Sequence, residues 1–359
     1  MKRLAAAFLL IVSAGAAALL AEWGVRILRP GFVAGPDAAG NPFWTHDPDL
    51  GWSHTPGLRG TFSRSEFSHR VSINAMGFRD RERPTSPRTG GGEGRSGEGA
   101  AGPYRIAVLG DSFAWGHGVE DEQVFTRLLE AALPGVEVWN MAVSAYSTDQ
   151  ELLLLRRFGG QVRPHLVLVM VSRNDFGGNL SDAYSGYPKP RFVERDGDLA
   201  LVNVPVPAPP WWMRAVSWTR RRSAFVNGLW YLFEGRGDGS SGVRPNREDE
   251  IRMTLRILDE IDAEARRIGA RLAVGLVPSV AHVYFGDVPP LEAGRFAALE
   301  EWGRDRAVPV LDLAPAFRET FAATGEWLHY RKDKHWNAAG HRAAAQVLAP
   351  FLTRLRGGS

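Results

Sequence analysis

Three polar stations along this 359-residue chain carry residue types able to do nucleophilic chemistry. The first is Gly110-Asp111-Ser112, a serine delivered directly after the apolar run 106–109. The second is Asn174-Asp175, just beyond the apolar run 166–171. The third is Lys332-Asp333-Lys334-His335-Trp336-Asn337, near the C-terminus. A serine hydroxyl attacks a carbonyl carbon when a base within hydrogen-bond reach takes its proton and fixed donors receive the oxyanion. His335 is the best base. Asp333 stands two residues before it, so in an extended loop both side chains point the same way. A carboxylate there holds the imidazole in one tautomer and stabilises its cation. Asn174 can present its amide to an oxyanion, and the backbone N–H of Ala142, after Asn140-Met141, is a second donor. Asp111 and Asp175 can brace their loops. Each station also has a plainer reading: Ser112 as a helix cap, His335 as a surface or capping residue.

These stations need elements to bring them together. The short runs 106–109, 136–140, 166–171, 272–277 and 308–313 read as buried strands. Helical patterns fall between them, at 122–133, 148–158, 247–268 and 292–304, with a closing helix from about Asn337. The stripe Ile251, Leu255, Leu258, Ile261, Ala265 and Ile268 marks the longest helix, and Gly269 is its expected stop. The closing helix is expected to turn Ala344, Val347, Phe351 and Leu355 inward. Strands alternating with helices predict an α/β domain over 104–359, with a parallel five-stranded sheet between helices. Ser112 and Asn174 then follow strand ends, where open sheets of this kind bind ligands. Residues 177–243 form an irregular, Pro- and Trp-rich insertion.

The N-terminal part has a different character. Lys2 and Arg3 precede an uncharged, mostly apolar stretch over residues 4–21, which predicts a membrane helix with the remainder exported; a cleaved signal is the alternative. The expected organisation is an anchor or signal over 1–30, an extended segment over 31–82 and a flexible linker over 83–103. Net charge is only +3, with basic and acidic residues interspersed, so a nucleic-acid partner is not expected. The chain has no cysteine, which excludes disulfides and thiolate metal sites. No His spacing suggests a metal, and neither a phosphate loop nor a dinucleotide fingerprint suggests a cofactor.

Gly110-Asp111-Ser112-Phe113, Asn174-Asp175 and Asp333-Lys334-His335-Trp336-Asn337 resemble three blocks of the SGNH (GDSL-type) hydrolases. A fourth block lies in Asn140-Met141-Ala142-Val143-Ser144-Ala145-Tyr146 and the residues after it. The likeness covers about 104–355, and Gly51-Trp52 with Gly77-Phe78-Arg79-Asp80 is similar to membrane-anchored bacterial members. It implies a three-layer α/β/α, flavodoxin-like domain and no cofactor. It implies Ser112 as nucleophile, His335 as base and Asp333 as its orienter. The Ser112 and Ala142 N–H groups and the Asn174 amide would form the oxyanion hole. Three positions depart from the family pattern: Ala142 and Ser172 stand where glycine is usual, and Asp333 lies two rather than three before His335. The shorter spacing resembles a branch with polysaccharide O-acetyltransferases and membrane-linked esterases. The resulting expectation is an extracytoplasmic serine esterase acting on an ester-bearing small molecule or glycan, plausibly its O-acetyl groups. An O-acyltransferase and a non-catalytic glycan-binding module are the alternatives. Trp115 and His117 either line the pocket or pack. Trp211, Trp212, Met213 and Trp218 either cover the domain's core or lie on a membrane surface.

Overall fold

The computed structural model describes residues 2–28, 43–64, 66–83, 102–184, 186–212, 215–216, 219, 223–226, 229, 246–285 and 290–357. Most of the expected linker, the spacer after the first helix, Met213 and Trp218 lie outside them.

Five largely apolar runs form one sheet, four of them largely buried on both faces and the fifth, at one edge, half-buried. Strand β5 (Tyr104–Gly110) pairs in parallel with β6 (Val136–Asn140) and β7 (Leu166–Val171). Strands β12 (Arg271–Leu276) and β13 (Val310–Asp312) extend the sheet beyond β7, giving the order β13-β12-β7-β5-β6. Counted within the sheet this is 2-1-3-4-5, with a switch point between β5 and β7. Right-handed crossovers then place the helices on opposite faces. The helices Phe125–Ala132 and Ala338–Gly357 pack together, while Thr148–Val162, Arg247–Arg267 and Pro290–Arg306 form the other layer.

The flavodoxin-like expectation holds, with local corrections. A 3₁₀ turn over Asp121–Gln123 precedes the helix Phe125–Ala132, because Val124 is extended (φ −65°, ψ 135°). The buried face of Arg247–Arg267 runs through Met253, Ile257, Leu258, Ile261 and Ala265, whereas Ile251, Leu255 and Ile268 are only half-buried. Gly269 stops that helix at φ +77°. Asn337 Oδ1 accepts from Gly340 N–H at 3.0 Å, the expected cap of the closing helix. Val347 and Leu355 of that helix are half-buried, with Leu348 and Leu352 in the core instead. The helices Val280–Tyr284 and Ala314–Thr324 were not legible, and the insertion holds two hairpins, β8–β9 (Ala183–Tyr184, Tyr187–Pro188) and β10–β11 (Arg191–Arg195, Asp198–Val202).

Residues 43–83 contribute two more hairpins, β1–β2 (Trp44–Asp47, Gly51–His54) and β3–β4 (Arg59–Ser63, Ser68–Ser72). Its Phe43, Trp44, Trp52, Phe62 and Phe78 belong to the same buried cluster as the sheet. Ahead of it, the helix Lys2–Leu28 contains one stretch, Phe8–Leu28, long and apolar enough to cross a membrane, with mean hydropathy 1.9 and no part buried.

Several histidines fill this shared core as neutral rings. Burial pushes His54 down to about 4, His341 to about 3 and His69 to about 2. Both His69 nitrogens lack a hydrogen-bond partner among the described residues, and its ring centroid lies 5.5 Å from those of Phe62 and Phe67. A pKa lowered in the folded state means that the unfolded chain binds the extra proton, so stability falls as pH drops below about 6.5. Urea unfolding is therefore expected to show a loss between pH 7 and pH 5. His69→Phe should remove about 2 kcal/mol of that loss; an unchanged pH dependence in the variant would contradict the buried neutral ring.

Candidate active site

Strand β5 ends at Gly110 because a side chain would not fit: a Cβ there would lie 2.6 Å from Ala114 Cβ and 3.2 Å from Met170 Cβ. The tight passage lets the chain enter the helix Ser112–Trp115, capped by Asp111, whose carboxylate accepts from Phe113 N–H at 2.9 Å. Ser112 thus stands at the carboxyl edge of the sheet, at the β5–β7 switch point, with its N–H in the first turn of a helix, where intrahelical acceptors are lacking. Ser112 Oγ lies 2.7 Å from His335 Nε2, and His335 Nδ1 lies 2.5 Å from Asp333 Oδ1. Although burial opposes it, bonds from His117 and His335 hold the Asp333 carboxyl far below its ordinary range. An ionised Asp333 accepts the Nδ1 proton, which assigns the lone pair to Nε2 and lets Nε2 accept from the Ser112 hydroxyl.

The loop carrying this pair is not extended, as the spacing had suggested, but turned. Lys334 adopts φ +74°, and Tyr330 N–H reaches His335 O at 2.8 Å. The left-handed residue between them is what folds Asp333 back onto His335, so a two-residue spacing suffices. Phe113 packs on the imidazole at a ring separation of 4.8 Å.

His117 and Trp115 pack rather than line a pocket. Trp115 is fully buried against Trp44, Phe62 and His54. His117 is buried with Nε2 3.6 Å from Asp333 Oδ2, and burial pushes it down to about 3. The donor atoms of His117, Asp333 and His335 all fall within 4.8 Å of one another, a grouping that sequence spacing could not reveal. Both His335 nitrogens are already engaged with Ser112 and Asp333, so a cation there would compete with those bonds.

The donors expected for an oxyanion are near but occupied. Ala142 N–H donates to Asn140 Oδ1 at 3.2 Å, and Asn140 Nδ2 to Ala114 O at 3.1 Å. The positive φ in this loop falls at Ala145 (69°) rather than at Ala142, so a methyl at 142 brings no left-handed strain. The exposed Asn174 accepts from Ser172 Oγ through Oδ1 and bonds the Asp111 carboxyl through its amide. Ser172, where glycine is usual, also donates to Asp111 Oδ2 at 2.8 Å. Asp175 Oδ2 accepts from Ser172 N–H at 2.6 Å, closing a capping box on Arg173–Gly178. Asn140, Ser172 and His117 were noted in the sequence for other reasons, and their supporting bonds were not legible from it.

Behind the serine, Asp111, Glu151 and Asp175 are all buried. Burial first, and mutual repulsion second, pushes Glu151 and Asp175 well above the carboxylate range; Asp111 is raised as well, mainly by burial. Neither Glu151 oxygen has a hydrogen-bond partner among the described residues.

The sequence model of the GDSL-like lipase/acylhydrolase family matches residues 108–343. No curated protein matches the chain. Similar solved structures include a lipolytic G-D-S-L protein from Veillonella parvula, at 11% identity and TM-score 0.43, over 70% of this chain and 99% of that one. A psychrotrophic esterase, EstA from Pseudoalteromonas sp., is 14% identical with TM-score 0.40, over 69% and 98%. An acetyl xylan esterase, AlAXEase, is 10% identical with TM-score 0.42, over 68% and 97%.

The unpaired Glu151 gives a test of the buried carboxyls. Its raised folded pKa means that the native state holds a proton the unfolded chain releases, so its contribution is intact below about pH 4.5 and erodes as pH rises. Glu151→Gln should therefore gain stability relative to wild type from pH 5 to pH 8, read as a growing difference in urea midpoint. A difference that stays flat with pH would mean that Glu151 is ionised in the folded protein.

Proposed function

Since this chain belongs to the GDSL-like lipase/acylhydrolase family, we propose that this esterase-type hydrolase works through Ser112, His335 and Asp333 on small acyl esters outside the cytoplasm. The observation that carries the reading is the hydrogen-bonded run from Ser112 Oγ through His335 to Asp333, at 2.7 and 2.5 Å. Ser112 Oγ bonds to the ester carbonyl carbon while His335 Nε2 takes the hydroxyl proton. Asp333 stabilises the imidazolium, and the carbonyl oxygen becomes an oxyanion. Collapse breaks the ester C–O bond, His335 returns the proton to the leaving alcohol, and an acyl-serine remains. Water then attacks the acyl carbon by the reverse proton route and frees the acid. Ser112 N–H is the ready oxyanion donor; Asn174 and Ala142 N–H join it by exchanging their present acceptors for the oxyanion as substrate enters.

A sugar hydroxyl in place of that water would make the enzyme an O-acyltransferase, and O-acetyl groups of an envelope glycan are the substrate class we favour. The full-length protein in detergent, given p-nitrophenyl acetate with and without an oligosaccharide acceptor, separates the outcomes. Free acetate in both cases means hydrolysis; acetylated sugar means transfer. Ser112→Ala and His335→Ala should each abolish turnover, and the double variant should be no worse, because groups acting as a unit are not additive. Asn174→Ala should cost about 10² to 10³ in kcat, with KM nearly unchanged. Near-normal turnover by Ser112→Ala would end this reading.

Placement follows from the N-terminal helix, which we read as an uncleaved anchor. Its Glu22 accepts from Ser223 Oγ at 2.8 Å and from Ala224 and Phe225 N–H at 2.9 Å each, tying the insertion to the helix near its exit end. Trp211 and Trp212, read from the sequence as core cover or membrane surface, are 79% and 50% exposed. Exposed indole rings of this kind suit a lipid interface, where they partition favourably. The chain should fractionate with membranes, and carbonate washing should not release it. A soluble product shortened by about the length of the first helix would show a cleaved signal instead.

A further inference from the structure

The expected extended segment does more than cover the core, because one of its residues holds the turn that carries Asp333 and His335. Glu66 lies between β3 and β4. Its Oε1 accepts from Arg331 N–H at 3.0 Å, and its Oε2 from Lys332 N–H at 2.7 Å and Asp333 N–H at 2.6 Å. Three successive N–H groups converging on one point form an anion-binding concavity, and here the anion comes from this chain, more than 260 positions upstream. The neighbouring Phe67 ring lies 4.8 Å from Tyr330 and 5.3 Å from His117, so the same hairpin tip touches both flanks of Asp333.

We propose that Glu66 is a positioning residue for the acyl-transfer site, fixing the turn in which Asp333 meets His335. This rests on the assignment of Ser112, His335 and Asp333 above. Residues 331 and 332 are exposed and 333 is half-buried, so water can replace the carboxylate on their N–H groups and the turn has no need of Glu66 to stay hydrated. What water cannot supply is orientation. The turn contains a non-glycine residue at φ +74°, a conformation that persists only where the surroundings impose it. Without the carboxylate, the turn relaxes and the Asp333 carboxylate drifts from Nδ1. His335 then loses both its fixed tautomer and the stabilisation of its cation. The deficit appears when the proton moves, so it falls on kcat and not on binding.

Glu66→Ala and Glu66→Gln in the full-length protein test this, beside Arg70→Ala, an exposed position of the same hairpin, as control. Turnover of p-nitrophenyl acetate and the rate of Ser112 labelling by a fluorophosphonate are both measured. Glu66→Ala should lower kcat and the labelling rate about 10²-fold, the usual scale for a misplacement near 1 Å, with KM unchanged. Glu66→Gln keeps one acceptor oxygen and should recover part of the loss; Arg70→Ala should behave as wild type. The decisive arm adds Glu66→Ala to Asp333→Ala. A residue acting through Asp333 should then cost only about threefold more, whereas a general weakening of the fold multiplies in full. Full multiplication, or Glu66→Ala with normal kcat and labelling, overturns the proposal. Wild-type protein that is not labelled at Ser112 would instead overturn the assignment of the site itself.

Discussion

A hydroxyl and an imidazole 223 positions apart in the chain stand 2.7 Å from each other, and the rest of the structure is arranged to keep them there. Hydrogen bonds weaken steeply with small errors of distance and angle, so neither partner can ride on a loose loop. The serine end is fixed by the sheet: β5 lies between β6 and β7, Gly110 packs too closely on Ala114 and Met170 to admit a side chain, and Asp111 caps the short helix that begins with Ser112. Buried Arg79 then secures the loop beyond that helix, donating to the carbonyls of Trp115, Gly116 and Val119 and to Asp121. The imidazole end has no strand beneath it. It depends on a turn that closes on itself and on contacts from outside the parallel sheet.

Charge is sorted by environment across a few ångströms. Asp333 faces two imidazoles and is held far below the ordinary carboxyl range, while burial raises Asp111, Glu151 and Asp175, with mutual repulsion adding to the shift of the last two. The sorting matters for proton transfer. In the proposed mechanism an imidazolium formed on His335 meets the Asp333 carboxylate directly on Nδ1. His117 stays neutral for the opposite reason: burial keeps a proton off it, so Asp333 is not neutralised by a second cation. Ser172 fits the same logic. Its single hydroxyl proton lies within reach of Asp111, Asn174 and Asp175 oxygens, and the raised pKa values of the two carboxyls favour a proton shared among them.

The fold was legible where burial alone sets the pattern. Branched apolar runs gave the five strands within a residue or two, and Gly269 and Asn337 marked helix ends because their roles are local. Ser112, Asp333 and His335 were legible as residue types, and the structure brings them together. What could not be read was anything set by long-range contact. Lys334 gives no sign in the sequence of a positive φ, and the extended geometry expected for its loop was wrong for that reason. Ala142 was read as a free donor, but its N–H is taken by the side chain of Asn140, two residues away. Trp211 and Trp212 carry no mark that separates a buried indole from one facing outward.

The segment over residues 43–83 explains why the site needs so much chain. Leu50 and Trp52 bond Gln150 and Tyr146 through their carbonyls, and Trp52 Nε1 reaches Ser144 O, so this segment also holds the loop after β6. Arg79 holds the loop after the serine, and Glu66 holds the turn before the histidine. Three loops that leave different parts of the fold are therefore registered to one another by a single stretch of about forty residues. That stretch has no core of its own; its aromatic side chains are buried in the core of the sheet domain. It cannot shift relative to one loop without disturbing the others. A brace of this kind transmits strain efficiently because packed interiors deform little. The apolar helix Lys2–Leu28 precedes the same stretch in sequence, so under the anchor proposed above the segment that braces the Asp333–His335 turn is also the one that follows the membrane helix.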